Sequence, residues 1–350
     1  MKRLFVFLGV VLMTIGSAVR AQEVDSMAPL QKSSWGDAKT DEMIDYMPDI
    51  SLDTRFGYNH SFTDKSGRLA GDGLYLDING YLSPNFSYSL NYRIASNYYE
   101  DNSGFNGINW MTLTYEIGDF SFTAGKDALL VGSFEYDAYD LDSYYDMNSM
   151  FYNTLDCWQW GVSAAWYPGE CHSILLQASE SPFRTEDMNL FSYALGWRCE
   201  SEYYESYWTA DMWEYGKGKF LKSLNIGNRI NLGCFSCDIE YMTRAADFKN
   251  FFVNDFTAIV SPSVDICGWV RLFAKCGYER VREEVMFEDF DTNLFYGGGV
   301  EFFPLREDKD VRIHAAWSDN EFFGNNLNVG LTWRFNVTKA AKHMFRKLDK

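Results

Sequence analysis

Near its C-terminus the chain reads Asn328-Val329-Gly330-Leu331-Thr332-Trp333-Arg334-Phe335. Val329, Leu331, Trp333 and Phe335 alternate with Asn328, Gly330, Thr332 and Arg334, the period of two that separates the faces of a β-strand. A strand with one face in lipid and one in water needs this pattern. It recurs upstream. Ile50, Leu52, Thr54, Phe56, Tyr58, His60 and Phe62 alternate with Ser51, Asp53, Arg55, Gly57, Asn59 and Ser61. Phe86, Tyr88, Leu90, Tyr92 and Ile94 alternate with Ser87, Ser89, Asn91 and Arg93. Ile266, Val270, Leu272, Ala274, Cys276 and Tyr278 oppose Trp269, Arg271, Phe273, Lys275 and Glu279. No charge enters these three apolar columns, as expected where a charge at the bilayer midplane costs about 2 to 4 kcal/mol.

Extended along the chain, the alternation predicts sixteen strands: 50–62, 72–82, 86–96, 108–117, 120–128, 154–167, 172–180, 189–199, 203–213, 222–232, 234–245, 256–261, 266–280, 292–303, 311–318 and 326–336. Tight connections such as Ser83-Pro84-Asn85, Gly118-Asp119 and Pro168-Gly169-Glu170 follow even-numbered strands, and longer ones follow odd-numbered strands. Asn228 in an apolar column, Lys126 at the outer end of another and the short 256–261 depart from the pattern, leaving fourteen or eighteen strands as alternatives. The fold class is all-β: a transmembrane antiparallel β-barrel over 49–336, with short periplasmic turns and longer outer loops.

The rest of the chain agrees. Met1-Lys2-Arg3 is basic, Leu4 to Gly16 is apolar but too short to span a bilayer, and Val19-Arg20-Ala21 offers small residues at cleavage spacing, so 1–21 reads as a signal peptide. No cysteine lies there to make a lipoprotein. Beyond it no apolar run approaches the roughly 18 residues of a helical span, yet aromatics make up 18% of the chain. Without spanning helices, an inserted chain must close its sheet to pair every backbone group. A secreted β-sandwich would show fewer, less evenly spaced strands. Residues 22–48 lack periodicity and read as a periplasmic lead-in or partial plug. In the tail 337–350, Ala341, Met344, Phe345 and Leu348 share a helical face among Lys339, Lys342, Arg346, Lys347 and Lys350.

Gly330 with Trp333 and Phe335 resembles the terminal-strand assembly signal of Gram-negative outer-membrane barrels. The architecture resembles a bacterial porin, and Gly125-Lys126 leading into the long third loop resembles the phosphate-selective porin O and P family. The resemblance implies an outer-membrane protein in contact with lipid and lipopolysaccharide, inserted by the barrel assembly machinery and passing small hydrophilic solutes or ions. It also implies a homotrimer, and a third loop, 129–153, folded inward as the constriction. At sixteen strands the lumen is too wide for wall side chains to fill.

The polar columns offer Arg55, Arg93, Arg198, Arg229, Arg244, Arg271, Lys275, Arg312 and Arg334 to that lumen. Arg198, Arg229, Arg271, Arg312 and Arg334 fall toward the periplasmic ends and would form a basic wall. Opposed to it, the third loop carries Glu135, Asp137, Asp140, Asp142 and Asp146 with no lysine or arginine. Such an arrangement would set a transverse field for selection. The duller alternative is that the arginines pair with lumenal carboxylates such as Asp53, Asp77, Glu116, Asp211, Asp238 and Glu301. Removing Lys2, Arg3 and Arg20 with the leader takes the formal charge from −18 to −21, and acidic mouth loops at Tyr98-Tyr99-Glu100-Asp101 and 283–289 would repel anions. A phosphate channel is not expected, and the sign of selectivity stays open. Tyr136, Tyr139, Tyr144, Tyr145 and Tyr152 would also suit a sugar-preferring channel. A plugged barrel that binds or adheres through its outer loops is the remaining alternative.

No catalytic set emerges. His60 lies near the outer rim without a serine nucleophile in its column, and His314 faces the lumen beside Arg312. Seven cysteines cannot all pair. Cys199, Cys237 and Cys276 lie in apolar columns, Cys234 and Cys237 point to opposite faces, and Cys157 and Cys171 sit at opposite strand ends. Neither metal nor cofactor is expected, and so acidic a chain would repel nucleic acid.

Overall fold

The computed structural model describes residues 46–98, 101–185, 188–247, 249, 251–282, 292–306 and 309–348. The expected leader, most of the segment 22–48, the mouth residues Tyr99 and Glu100, and the acidic stretch 283–289 lie outside them.

Sixteen strands form: β1 (Asp49–Ser61), β2 (Ser66–Ser83), β3 (Phe86–Ser96), β4 (Ile108–Ile117), β5 (Phe120–Ala128), β6 (Trp158–Trp166), β7 (His172–Glu180), β8 (Phe191–Glu200), β9 (Tyr204–Gly216), β10 (Lys219–Leu232), β11 (Phe235–Ala245), β12 (Phe256–Ile266), β13 (Val270–Arg280), β14 (Thr292–Phe302), β15 (Val311–Asn320) and β16 (Gly324–Asn336). Each pairs antiparallel with its chain neighbours, and β1 pairs with β16 through Asp53↔Arg334 and Thr54↔Trp333, closing the barrel. Closure leaves no free sheet edge.

Alternation survives in three dimensions. Leu52, Phe56, Phe122, Leu195, Val260 and Trp317 stand exposed on the outside, while their polar neighbours in sequence turn inward. The two misfits find local solutions. Asn228 accepts hydrogen bonds from Tyr204 Oη at 2.6 Å and Trp208 Nε1 at 3.2 Å. Lys126 donates to the Ile108 carbonyl at 2.7 Å.

Several expected boundaries shift, for physical reasons. β6 starts at Trp158, because Met150–Thr154 forms a helical turn whose N-cap, Ser149, accepts from Tyr152 N. β12 continues through Pro262 to Ile266. The proline has no N–H to give, so the ladder to β13 skips Ser261 and Pro262, yet pairing resumes in the same register at Ser263↔Phe273. The turn then falls at Cys267-Gly268, both at positive φ (54° and 67°), the geometry that favours glycine in tight hairpins. Lengths at the two barrel ends are also less alternating than expected. Connections 62–65, 217–218 and 321–323 are tight because β2, β9, β10, β15 and β16 extend beyond their expected spans and draw loop residues into the sheet.

The end carrying β1's start and β16's finish is here called the turn end, and the opposite end the loop end. At the turn end a C-terminal helix, Val337–Leu348, follows β16 directly. Thr338 Oγ1 donates to the Pro48 carbonyl at 2.8 Å and accepts from Ile50 N at 3.0 Å, tying the helix's first turn to the beginning of the barrel.

Candidate functional site: the lumen and its third loop

Between β5 and β6 the chain does not stay outside. Residues 129–157 turn into the barrel and carry two short helices, α1 (Phe134–Asp137) and α2 (Met150–Thr154). Each helix starts at a serine whose hydroxyl accepts a backbone N–H of the first turn. Each first turn also faces a wall glutamate. Glu240 of β11 accepts from Ser133 Oγ and Glu135 N, and Glu279 of β13 accepts from Met150 N at 2.7 Å and Phe151 N at 3.2 Å. An anion at a helix N-terminus satisfies the N–H groups that have no partner within the helix.

Around these caps the loop is bonded to wall strands on most sides. Arg55 of β1 donates to the Leu141 and Ser143 carbonyls at 3.0 and 2.7 Å. Tyr139 accepts from Asn91 of β3, Asp140 from Asn109 of β4, and Leu130 N donates to Gln177 of β7. Gly132 N donates to Thr209 of β9. Tyr144 Oη donates to Glu301 of β14 at 2.9 Å and its ring stacks on Phe273 at 5.1 Å. Room for this approach comes from β14, where a Cβ on Gly297 would meet Met147 at 3.0 Å and one on Gly299 would meet the Phe273 ring at 2.7 Å. Toward the loop end, Met150, Phe151 and Leu155 join Trp213, Leu221, Met242, Ile259, Val281 and Phe295 in a buried apolar cluster against β9 to β14.

The nine expected basic residues all turn into the interior, and their partners are now visible. Asp142 is clasped between Arg312, at 2.9 Å, and Arg334. Glu135 meets Lys275 at 2.6 Å, and Asp137 meets Arg198 at 2.9 Å, where Glu200 also pairs. Arg229 pairs with Asp238 and Glu205, and Arg271 with Asp265 and Glu301. Glu301 further holds Arg312 at 3.3 Å. Arg55 pairs with Asp72, while Arg244 and Asp255, both wholly buried, pair at 2.6 Å beneath the Phe151 ring. Arg93 bonds Asn109 and Asn102. Of the carboxylates expected as partners, Asp238 and Glu301 serve. Asp72, Asp255, Asp265 and Glu205 are partners that sequence reasoning missed.

The expected opposition of a basic wall and an acidic loop, with a transverse field between them, is therefore corrected. Glu135, Asp137 and Asp142 of the loop touch the wall's cations, and Arg198, Arg229, Arg271, Lys275, Arg312 and Arg334, six cations, share eight carboxylates. Contact pairing cancels the long-range field that separated charges would set up.

Within the loop the carboxylates divide. Burial alone would raise the Asp142 carboxyl, but Arg334 and Arg312 outweigh it and hold the group below its ordinary value. Burial raises Asp140 despite Arg93. Burial, then the charge of Asp72, pushes Asp146 to about 6. The tyrosines are engaged within the protein: Tyr136 Oη donates to the Phe151 carbonyl at 2.7 Å, Tyr152 Oη to Ser143 at 3.3 Å, and the Tyr145 ring stacks on Tyr98 at 3.9 Å. His314 is buried with Nε2 against Asn328 and its ring against Tyr144 at 5.2 Å. Trp333 and Phe335 stand on the outer face with ring centroids 5.5 Å apart, and Gly330 pairs with Gly57 and His314. The seven cysteines are free thiols.

The model of the phosphate-selective porin O and P family matches residues 59–201. A loop-deletion mutant of OmpT, an outer membrane protein of Vibrio cholerae, superposes with a TM-score of 0.59 at 12% identity, covering 83% of this chain and 100% of that one. The trimer form of OmpT gives 0.55 at 13% identity, covering 83% and 99%. A mutant of the Rh. blastica porin gives 0.54 at 11% identity, covering 83% and 100%. No curated protein sequence matches the chain. The chain thus resembles the porin O and P family over 59–201, from the end of β1 through β8, and its fold is that of the porins.

Proposed function

We propose that the protein is an outer-membrane porin, a non-enzymatic channel through which small hydrophilic solutes or ions diffuse, with the third loop setting the constriction. One observation supports this above the rest: residues 129–157 lie inside a closed sixteen-stranded barrel and are pinned to its wall by charged hydrogen bonds. A sixteen-stranded barrel is wide enough to hold an aqueous channel. Its turn end, with both ends of the sheet, would face the periplasm and its loop end the exterior. Gly330, Trp333 and Phe335 would be read by the assembly machinery, and the exposed apolar belt would meet lipid and, outside, lipopolysaccharide. A homotrimer is in keeping with the porin likeness. Residues 1–21 would be the leader, 22–48 a periplasmic lead-in and 337–350 a basic periplasmic tail.

The apolar cluster between the loop and β9 to β14 favours a second reading, a barrel held shut by its own loop whose outer connections bind or adhere. Single-channel recording of the refolded protein in a planar bilayer separates the two. Stable steps are expected of the porin, and a folded, heat-modifiable barrel with no conductance would leave the plugged reading as the better account.

A further inference from the structure

The loop is bonded unevenly to the wall, and this bears on where solute passes. Across β4, β5 and β6 the inward positions form cross-strand rows of small residues: Thr112–Gly125–Gly161 and, one step toward the turn end, Thr114–Thr123–Ser163. Among the described residues no hydrogen bond or ion pair joins the third loop to either row; Thr114 and Thr123 bond each other at 2.8 Å. Where other strands project arginines and carboxylates, these rows project a hydroxyl or a hydrogen atom, so side-chain bulk is least beside them. On this side the inward charges toward the turn end are carboxylates. Asp77 of β2 accepts from the amides of Asn79 and Asn91, the latter at 3.1 Å, neutral donors that bring no counter-charge. Glu116 of β4 lies in the next row after Thr114. The lone lysine of β4 to β6, Lys126, points outward.

We propose that solutes pass along this wall of β4 to β6, and that Asp77 and Glu116 make the passage favour cations and neutral polar solutes over anions. The proposal rests on the porin reading and deepens it. A charge beside a narrow aqueous path biases the local ion concentration by its own sign, whereas cations already in contact with an excess of carboxylates add no opposing bias.

The test is the reversal potential of the full-length channel under a potassium chloride gradient, together with liposome swelling in a neutral pentose. Wild type is expected to reverse with cation sign and to admit the pentose. Asp77→Asn with Glu116→Gln is expected to lower the cation-to-anion permeability ratio by about threefold, with conductance retained. Thr123→Arg, which places a cation on the same wall, is expected to reduce conductance and move the ratio the same way. Anion sign in the wild type, or a ratio that neither variant moves in barrels of native heat-modifiable mobility, would overturn the inference while leaving a porin. No conductance at all would overturn the porin reading beneath it.

Discussion

The wall running from β8 round to β16 and the wall of β4 to β6 face one lumen and differ in almost every respect. The first is dense with arginine and carboxylate, each touching the other and many touching the third loop. The second offers two rows of small neutral residues, with Glu116 following them toward the turn end. Read as a list of charges, the first would dominate permeation. Read as contacts, it is structural, because paired charge in a low-dielectric interior holds parts together rather than acting at a distance. The difference separates residues that hold the loop from residues that a passing solute meets.

The comparison breaks first at the buried pair. Arg244→Leu would strip Asp255 of its buried guanidinium partner, and the cost of such a change, about 3 to 5 kcal/mol, should appear as a marked fall in the thermal midpoint of heat-modifiable mobility. If the midpoint stays, the charged wall is not what holds the interior together. Next comes the clasp. Asp142→Asn releases Arg334 and loosens Arg312, which keeps Glu301, and single-channel recording is expected to show larger, noisier steps with greater anion permeability.

Acid should act on the clasp with a definite sign. The Asp142 carboxyl is depressed by its arginines, so its contribution to loop docking is present above the ordinary carboxylate value of 3.8 and is lost as pH falls through the depressed one. Asp146 works in reverse: raised to about 6, it favours the docked loop most below pH 3.8 and loses that contribution as pH rises through about 6. Conductance noise measured across pH should therefore rise at both flanks, and Asp146→Asn should remove only the upper one. A smaller effect is expected of Tyr144→Phe, which forfeits one hydrogen bond to Glu301, about 1 kcal/mol, readable as modestly faster loop gating. Smallest in stability is Thr114→Val on the small-residue wall, within about 0.5 kcal/mol by thermal midpoint.

Much of this was legible in the alternation. All sixteen strands follow from it, because a wall between lipid and water imposes the same period on every strand. Its boundaries were not always legible: Pro262 reads as a stop but sits inside β12, and Thr154 reads as strand but closes a helical turn, since both outcomes depend on neighbours rather than period. The basic residues could be found from their columns; their partners could not. Whether Arg312 meets Asp142 or stands open depends on the path of a loop with no repeating pattern. One overlooked signal did point there. Gly297-Gly298-Gly299 within a strand marks a place where something approaches the backbone closely, and Met147 of the loop is the nearest side chain to a Cβ at Gly297.

The clasp also dictates an order of events. Asp142 leaves the chain after β5, while Arg334 lies 192 residues later, in the last strand, and Lys275 is 140 residues beyond Glu135. Contacts that far apart in sequence form late, after the intervening chain has found its place. The loop therefore waits on the final strands: during biogenesis the cylinder must be nearly sealed before its contents can lock, and an intermediate lacking β15 and β16 holds 129–157 without its principal fastening.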